Sequence, residues 1–454
     1  MYRITLIMLL SLLLPDIYIY LAYIVRKTPR ILLRALWWLP SAVLSGIFFY
    51  FLTLSGDNIL AHHTYGIGLL AVAIMLFAAP KLIFMLCSII GIALRGVGRC
   101  LSWAVYRTPF LHPCKAFAFH RRPFSIAGVL LAVIAFINIL YGAVWGVRRF
   151  EVKEVEFVSD RIPQAFDGYR VLQLSDIHIG SWARQPEEIS RLVELVNAQK
   201  ADVIVFTGDL VNQQSRELTS FTSILSGLKA TDGVFSVLGN HDYGTYYHWK
   251  NAEEEQRNLQ QLIEMQGEMG WKLLNNEHVL LTQGRDTIAL VGVENDGEPP
   301  FSQHANLPQA VAGTEPYFSI LLSHNPTHWR REVLPDTHID LMLAGHTHAM
   351  QMELFGRSLS SLIYPEWSGM YLESEISSGK RLPVEKGLSS GKGLSSGKQS
   401  FSEKPEKQEN QATGGSLNPK GLYVNVGIGY VGLPFRFGAW PEVTVITLRH
   451  PSAH

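Results

Sequence analysis

The stretch LAGHTHAM, residues 343 to 350, sets His346 and His348 one residue apart. On an extended stretch, residues i and i+2 point the same way, so the two imidazoles can serve one site from one side, each reaching a different ion. Four other short blocks carry donors of the same kind: Asp176-Ile177-His178, Gly208-Asp209, Gly239-Asn240-His241-Asp242, and His324 in SHNP. Asp176, His178, Asp209, Asn240, His324, His346 and His348 together suffice for two divalent ions if one carboxylate is shared. Mixed nitrogen and oxygen donors without sulfur fit Mn, Fe or Zn and argue against a thiolate centre. Two such ions a short distance apart clamp a phosphate, and water bridging them loses its proton near neutral pH. Such a centre would turn water into a nucleophile against a bound phosphate.

Taken singly, each block has an ordinary reading. Asp-x-His after a strand is usually a turn, Gly-Asp a strand stop, and Gly-Asn-His-Asp a Gly-Asn turn with polar neighbours. Their joint placement excludes decoration, because each block follows an apolar run. YRVLQLSD (169 to 176) and ADVIVFTGD (201 to 209) are apolar on both faces, as buried strands of a covered sheet are. GVFSVLGN (233 to 240), YFSILLSH (317 to 324) and IDLMLAGH (339 to 346) likewise end in polar residues, and TIALVGVE (287 to 294) repeats the pattern. PEEISRLVELVNAQK (186 to 200) has helical spacing with Pro186 near its start, and further helical stretches lie near 216 to 229 and 252 to 267. The order predicts a layered α/β domain whose strands bring their carboxyl ends, and hence the ligands, to one edge.

Equal numbers of basic and acidic residues, 39 each, give no argument for nucleic acid. The average conceals a division, because the long apolar stretches lie before residue 150. Residues 5 to 25, 36 to 55, 66 to 94 and 125 to 147 predict four membrane spans, the third tilted and kinked at Pro80. The first is interrupted by Pro15 and Asp16 and is longer than a cleaved signal peptide needs. Arg26, Lys27, Arg30 and Arg34 lie in the first loop, none in 56 to 65, and Arg95, Arg99, Arg107, Lys115, Arg121 and Arg122 in the third. The positive-inside rule then puts both termini, and everything after residue 150, outside the cytoplasm, although Arg148 and Arg149 vote the other way. Cys87, Cys100 and Cys114 all lie in the membrane part, so no disulfide framework or thiolate site is expected beyond it. Residues 376 to 420, with a tandem GLSSGK and no apolar periodicity, predict a flexible low-complexity insertion. Strand-like runs at 421 to 430 and 441 to 449 then complete the same domain.

The five blocks resemble the calcineurin-like metallophosphoesterase superfamily, whose order is Asp-x-His, Gly-Asp, Gly-Asn-His-Asp/Glu, a lone His and Gly-His-x-His. The membrane-attached bacterial branch is most similar, with spans preceding the catalytic domain. The resemblance implies a bacterial inner-membrane protein with a helical membrane domain over 1–150 and an α/β domain, a β-sandwich flanked by helices, over 151–375 and 421–454. It implies that Asp176, His178, Asp209 and His348 hold one ion, and Asp209, Asn240, His324 and His346 the other. His241 would donate a proton to the leaving oxygen or stabilise phosphate charge, with Asp242 orienting its ring. Many branch members continue with glycines after Gly-His-Thr-His, whereas this chain has Ala349 and Met350, which alters the pocket more than metal binding.

The expected activity is a membrane-anchored phosphohydrolase acting on a phosphorylated small molecule or a lipid-linked or envelope substrate, with membrane lipids as surroundings. The alternative is a non-catalytic membrane sensor or scaffold, which would have little reason to keep His241. A transporter fits poorly, since the spans hold few ionisable groups facing one another. Tyr243, Tyr246, Tyr247 and Trp249 could line a pocket or pack on the core, and Arg436 could meet a phosphate or lie on the surface. His248, His304, His328 and His338 have no partner pattern.

Overall fold

A computed structural model describes residues 2–54, 58–107, 121–374 and 418–451. Cys114 and nearly all of the expected insertion, 376–417, lie outside the described residues. The chain divides into two compact units, Met1–Arg148 with Val431–Phe437, and Arg149–Tyr430 with Gly438–His454.

The first unit contains four helical segments long and apolar enough to cross a membrane: Leu6–Lys27, Ile31–Thr53, His63–Trp103 and Arg122–Arg148. Side chains such as Ile7, Leu32 and Ile134 are exposed on them, as a lipid-facing surface requires. The third helix runs on to Arg107, so Arg95 and Arg99 sit on its end rather than in a loop. Its non-helical backbone lies at His63, not at Pro80. Asp16 is fully buried, accepts a hydrogen bond from Ser41 and pairs with Lys81 Nζ at 2.6 Å. The spans therefore do bring one pair of ionisable groups face to face, and pairing is what makes such charges tolerable away from water.

The second unit is built on two six-stranded sheets. β1 (Glu151–Val158), β2 (Arg170–Leu174), β3 (Val203–Thr207), β4 (Val234–Val237), β5 (Trp271–Leu273) and the final strand, Glu442–Arg449, form one sheet. β6 (Glu277–Gln283), β7 (Asp286–Gly292), β8 (Phe318–Leu322), β9 (Leu341–Ala344), the strand Gly369–Leu372 and the strand Gly421–Val424 form the other. β2 to β5 run parallel, as do β7 to β9.

Alternation along each strand divides the apolar groups among three cores. In β3, Val203 and Val205 join Ile288, Leu290 and Ile320 between the sheets, while Ile204 and Phe206 point outward. The helix Pro186–Ala198 covers that outer face with Ile189, Leu192, Val193 and Val196. This i, i+3, i+4, i+7 stripe stabilises by roughly 1.5–3 kcal/mol per side chain. Beyond the second sheet, Val291, Leu321 and Met342 pack on Trp329 and Val333. Strands covered on both faces explain why β2, β3 and β8 carry no polar alternation. The ligand-bearing loops follow β2, β3 and β4 in one sheet and β8 and β9 in the other, so the site is fed by two sheets where the sequence suggested one sheet edge.

Candidate metal centre

The loops after β2, β3 and β9 leave their strands by a backbone turn that few residues adopt. Asp176, His178, Asp209, His346 and His348 have φ of 51°, 45°, 59°, 72° and 49°, left-handed values that cost L-residues energy and cluster at functional sites. His346 and His348 are thus not on an extended stretch, and their rings go to different clusters. The loops zip together through Asp176 N–H to the Gly208 carbonyl (2.9 Å) and His178 N–H to the Asp209 carbonyl (3.1 Å). Gly239 and Gly345 permit this approach, since a Cβ on either would overlap Asp209, or Ser175 and Asp176.

Two groups of donors result. In the first, His178 Nε2 and His348 Nε2 lie 3.1 Å apart, and His348 Nε2 is 3.1 Å from Asp176 Oδ1. Asp176 Oδ2 accepts from Ser175 Oγ (2.5 Å) and His346 N–H (3.0 Å), which aims Oδ1 at the imidazoles. In the second, His324 Nε2 is 3.2 Å from Asp209 Oδ2 and 3.3 Å from His346 Nδ1. Asp209 Oδ2 is also 3.6 Å from His178 Nε2, so one oxygen stands between both groups.

The donor atoms are presented with their lone pairs inward. His324 Nδ1–H donates to the Thr207 carbonyl (2.8 Å), which turns its Nε2 inward, and His346 Nε2 meets Tyr364 Oη (3.0 Å), which leaves its Nδ1 facing His324. The Asn240 amide donates Nδ2–H to Tyr246 Oη (3.0 Å), and its buried Oδ1 has no hydrogen-bond partner. Burial and the neighbouring His324 push the His346 imidazole down to about 3, so it stays neutral, as a metal ligand must. Burial disfavours a charge on His324, yet the Asp209 carboxylate raises it to about 9. A pocket that draws a proton onto a buried imidazole is one a divalent cation would fill. The residues present fit two such ions.

Asp242 does not orient His241. Its carboxylate accepts backbone N–H groups from Asp209 (2.9 Å), Leu210 (2.8 Å), Val211 (3.1 Å) and Gly239 (2.9 Å), so it pins the Gly208–Val211 turn to the Gly239 turn. The His241 ring is held instead by Nδ1–H donation to the Asn212 carbonyl (2.6 Å), and its backbone N–H donates to Asp209 Oδ1 (2.8 Å). Of the aromatic cluster, Tyr246 packs on His241 with the rings tilted and 4.5 Å between centroids, whereas Tyr243 is buried with its hydroxyl on Glu294 and Tyr247 packs on Trp249. Arg436 is wholly buried in the first unit rather than exposed.

Two family models match the chain, "Calcineurin-like phosphoesterase" over residues 169–350 and "Probable Calcineurin-like phosphoesterase, transmembrane domain" over residues 2–147. The chain thus carries a calcineurin-like phosphoesterase domain preceded by the transmembrane domain of such phosphoesterases. It is 27% identical over 330 residues to a transmembrane protein with metallophosphoesterase domain from Danio rerio, covering 71% of this chain and 62% of that one. It thus spans less than two thirds of that relative. An uncharacterized metallophosphoesterase of Bacillus subtilis is 25% identical, covering 69% of this chain and 96% of its own. One of Helicobacter pylori is 27% identical, covering 76% and 75%. Among solved structures, a metallophosphoesterase from Sphaerobacter thermophilus is similar at 17% identity over 57% of this chain and 77% of its own, with a TM-score of 0.26.

The Ala349-Met350 departure acquires a physical meaning here. His348, Ala349, Met350 and Gln351 have φ of 49°, 48°, 47° and 59°, a left-handed turn in which glycine would be unstrained. The Ala349 methyl is enclosed by Trp367, Val426 and Ala439, while Met350 is 42% exposed. Met350→Gly should therefore stabilise the second unit by about 1 kcal/mol, read as a raised thermal midpoint. An unchanged or lowered midpoint would show that no strain resides there.

A third group of ligand-type residues, Asp296, His328 and Glu332, escaped the sequence reading, since no motif links residues this far apart. His328 Nε2 lies 3.3 Å from Asp296 and 3.1 Å from Glu332, Nδ1 meets Ser323 Oγ at 2.9 Å, and Arg331 pairs with Asp296. With every partner inside the protein, it reads as a clasp on the loop that presses Phe301 against His346. Burial outweighs the pull of Asp296 and lowers His328 to about 4. The unfolded chain then takes up a proton that the native one refuses, so stability present above pH ~6.5 is lost as pH falls toward ~4. Over that window His328→Gln should flatten the stability profile by roughly 3 kcal/mol; identical slopes in denaturant titrations would refute this.

Proposed function

We propose that the chain is a membrane-anchored dinuclear phosphohydrolase that cleaves a phosphoester or pyrophosphate bond. The observation that carries this reading is Asp209 Oδ2, which lies 3.2 Å from His324 Nε2 in one donor group and 3.6 Å from His178 Nε2 in the other. Asp176, His178, Asp209 and His348 would hold one ion, and Asp209, Asn240, His324 and His346 the second, with Mn, Fe or Zn as the ions the donor set suits. When bound, two such ions neutralise phosphate charge and acidify water near neutral pH.

The chain's own residues do the rest. Asp209 fixes the spacing of the two groups and, through Oδ1, anchors the His241 backbone. Because the Asn212 carbonyl keeps a proton on His241 Nδ1, Nε2 delivers a proton to the leaving oxygen only from the imidazolium form. Once neutral, the ring is set to accept a proton back. Tyr246 and Tyr364 orient Asn240 and His346. The basic residues Arg26, Lys27, Arg30 and Arg34, clustered around the junction of the first two spans, support a bacterial inner-membrane protein with its catalytic unit outside the cytoplasm.

The test is hydrolysis of p-nitrophenyl phosphate and bis-p-nitrophenyl phosphate by the full chain in nanodiscs. Turnover should need Mn and vanish with EDTA. A protein that retains Mn yet turns over neither these esters nor any phosphate or diphosphate lipid would instead be the ligand-binding sensor.

A further inference from the structure

Beside the metal centre the catalytic unit exposes a run of apolar side chains. Glu353–Leu354 and Arg357–Ser358 form a hairpin with Phe355 fully exposed at its tip. In the short helical turn that follows, Leu362 and Ile363 are 81% and 62% exposed, and Leu354 and Leu359 are about half exposed. Elsewhere on the described part of this unit, exposed aliphatic side chains such as Val158 and Leu280 stand singly, which is ordinary for a protein surface. Five within ten residues is not ordinary.

The run is fastened to the metal-binding loop at two points. Ser358 Oγ donates to the Ala349 carbonyl, next to His348, and the hydroxyl of Tyr364, the residue after Ile363, is hydrogen-bonded to His346 Nε2 at 3.0 Å. The apolar surface therefore begins one residue from a group that orients a metal ligand. Residues 354–364 contain Arg357 and no acidic residue, so the segment repels no phosphate and offers it a cation. The same chain carries four segments able to span a bilayer, so hydrocarbon is the apolar partner that its catalytic unit meets at the highest local concentration.

We infer that Leu354, Phe355, Leu359, Leu362 and Ile363 form a ledge for the hydrocarbon chain of the substrate. The substrate is then a lipid whose phosphate or diphosphate lies at the metal centre. This rests on the phosphohydrolase reading above and narrows it to a substrate class. The ledge gives binding energy to the tail, remote from the reacting phosphorus, and so favours long-chain over short-chain esters of the same headgroup.

The test uses the full chain in nanodiscs, hydrolysing p-nitrophenyl phosphate in the presence of butyl-, octyl- or dodecylphosphonate as competitive inhibitors. In the wild type, inhibition should tighten at least about tenfold from butyl to dodecyl, as burial of several methylenes requires. In a Phe355→Ser/Leu362→Ser double variant this dependence on chain length should disappear, while uninhibited turnover and inhibition by butylphosphonate stay unchanged. Since both residues are exposed, the substitutions leave the core intact. Equal chain-length dependence in variant and wild type overturns the ledge, as does a loss that falls equally on butylphosphonate. A variant that differs only in the number of copies per particle overturns it too, by assigning the surface to a second chain. Absence of any phosphoester hydrolysis by wild type with Mn bound overturns the underlying reading instead.

Discussion

Replacing Asp209 by Ala should take the full chain from about two Mn ions per molecule to fewer than one, and lower kcat/KM for p-nitrophenyl phosphate by at least about a thousandfold. Both oxygens of this carboxylate are committed. Oδ2 stands between the two donor groups, and Oδ1 accepts the backbone N–H of His241. Burial favours the neutral acid, but His324 and His241 hold the Asp209 carboxyl well below the usual carboxylate range. The negative charge that assembles the cations therefore persists throughout the working pH range. Its removal leaves His324 without a counterion and releases the turn that places His241. Metal content by elemental analysis, read beside the rate, decides the matter. A variant with both ions and a wild-type rate would sink the dinuclear mechanism.

His241→Ala should have the second largest effect and a different signature. The ring makes no bond to the donor atoms of either group. Metal content should therefore hold while kcat falls by about a hundred- to a thousandfold, within the range for losing a general acid. The loss should grow with the basicity of the leaving group, because an alkoxide needs the proton more than p-nitrophenolate does. A series of aryl and alkyl phosphates measures this. A loss independent of the leaving group would assign His241 to holding charge on the phosphate instead of delivering a proton.

The donor residues were legible because each follows a strand buried on both faces, so an unbroken apolar run marks where its polar end must be. The same property made the layering of two sheets hard to read: Val203 to Phe206 look alike in sequence yet feed two different cores. The role of Asp242 was misread because its partners are backbone N–H groups, which carry no residue code, and the atom that holds His241 is likewise a backbone carbonyl, that of Asn212. Tyr364 and the His328 clasp lie in no motif, and only folding brings them to their partners. In the first unit, apolar length gave the four spans, but it could not tell that Arg95 and Arg99 continue a helix, since a basic helix end and a basic loop have the same composition.

The left-handed turn from His348 to Gln351 limits how this chain can diversify. Branched side chains are all but excluded at such dihedrals, so Val, Ile and Thr are closed to positions 349 and 350, and drift there is confined to a few residue types. The neighbouring hairpin from Glu353 to Ser358 meets the same restriction only at its tip, where Phe355 and Gly356 have φ of 53° and 73°, and its arms are free of it. Variation among descendants of this sequence should therefore accumulate in the arms of the hairpin and leave the turn nearly fixed, which divides a few adjacent residues into a constrained mount for the metal ligands and an evolvable rim.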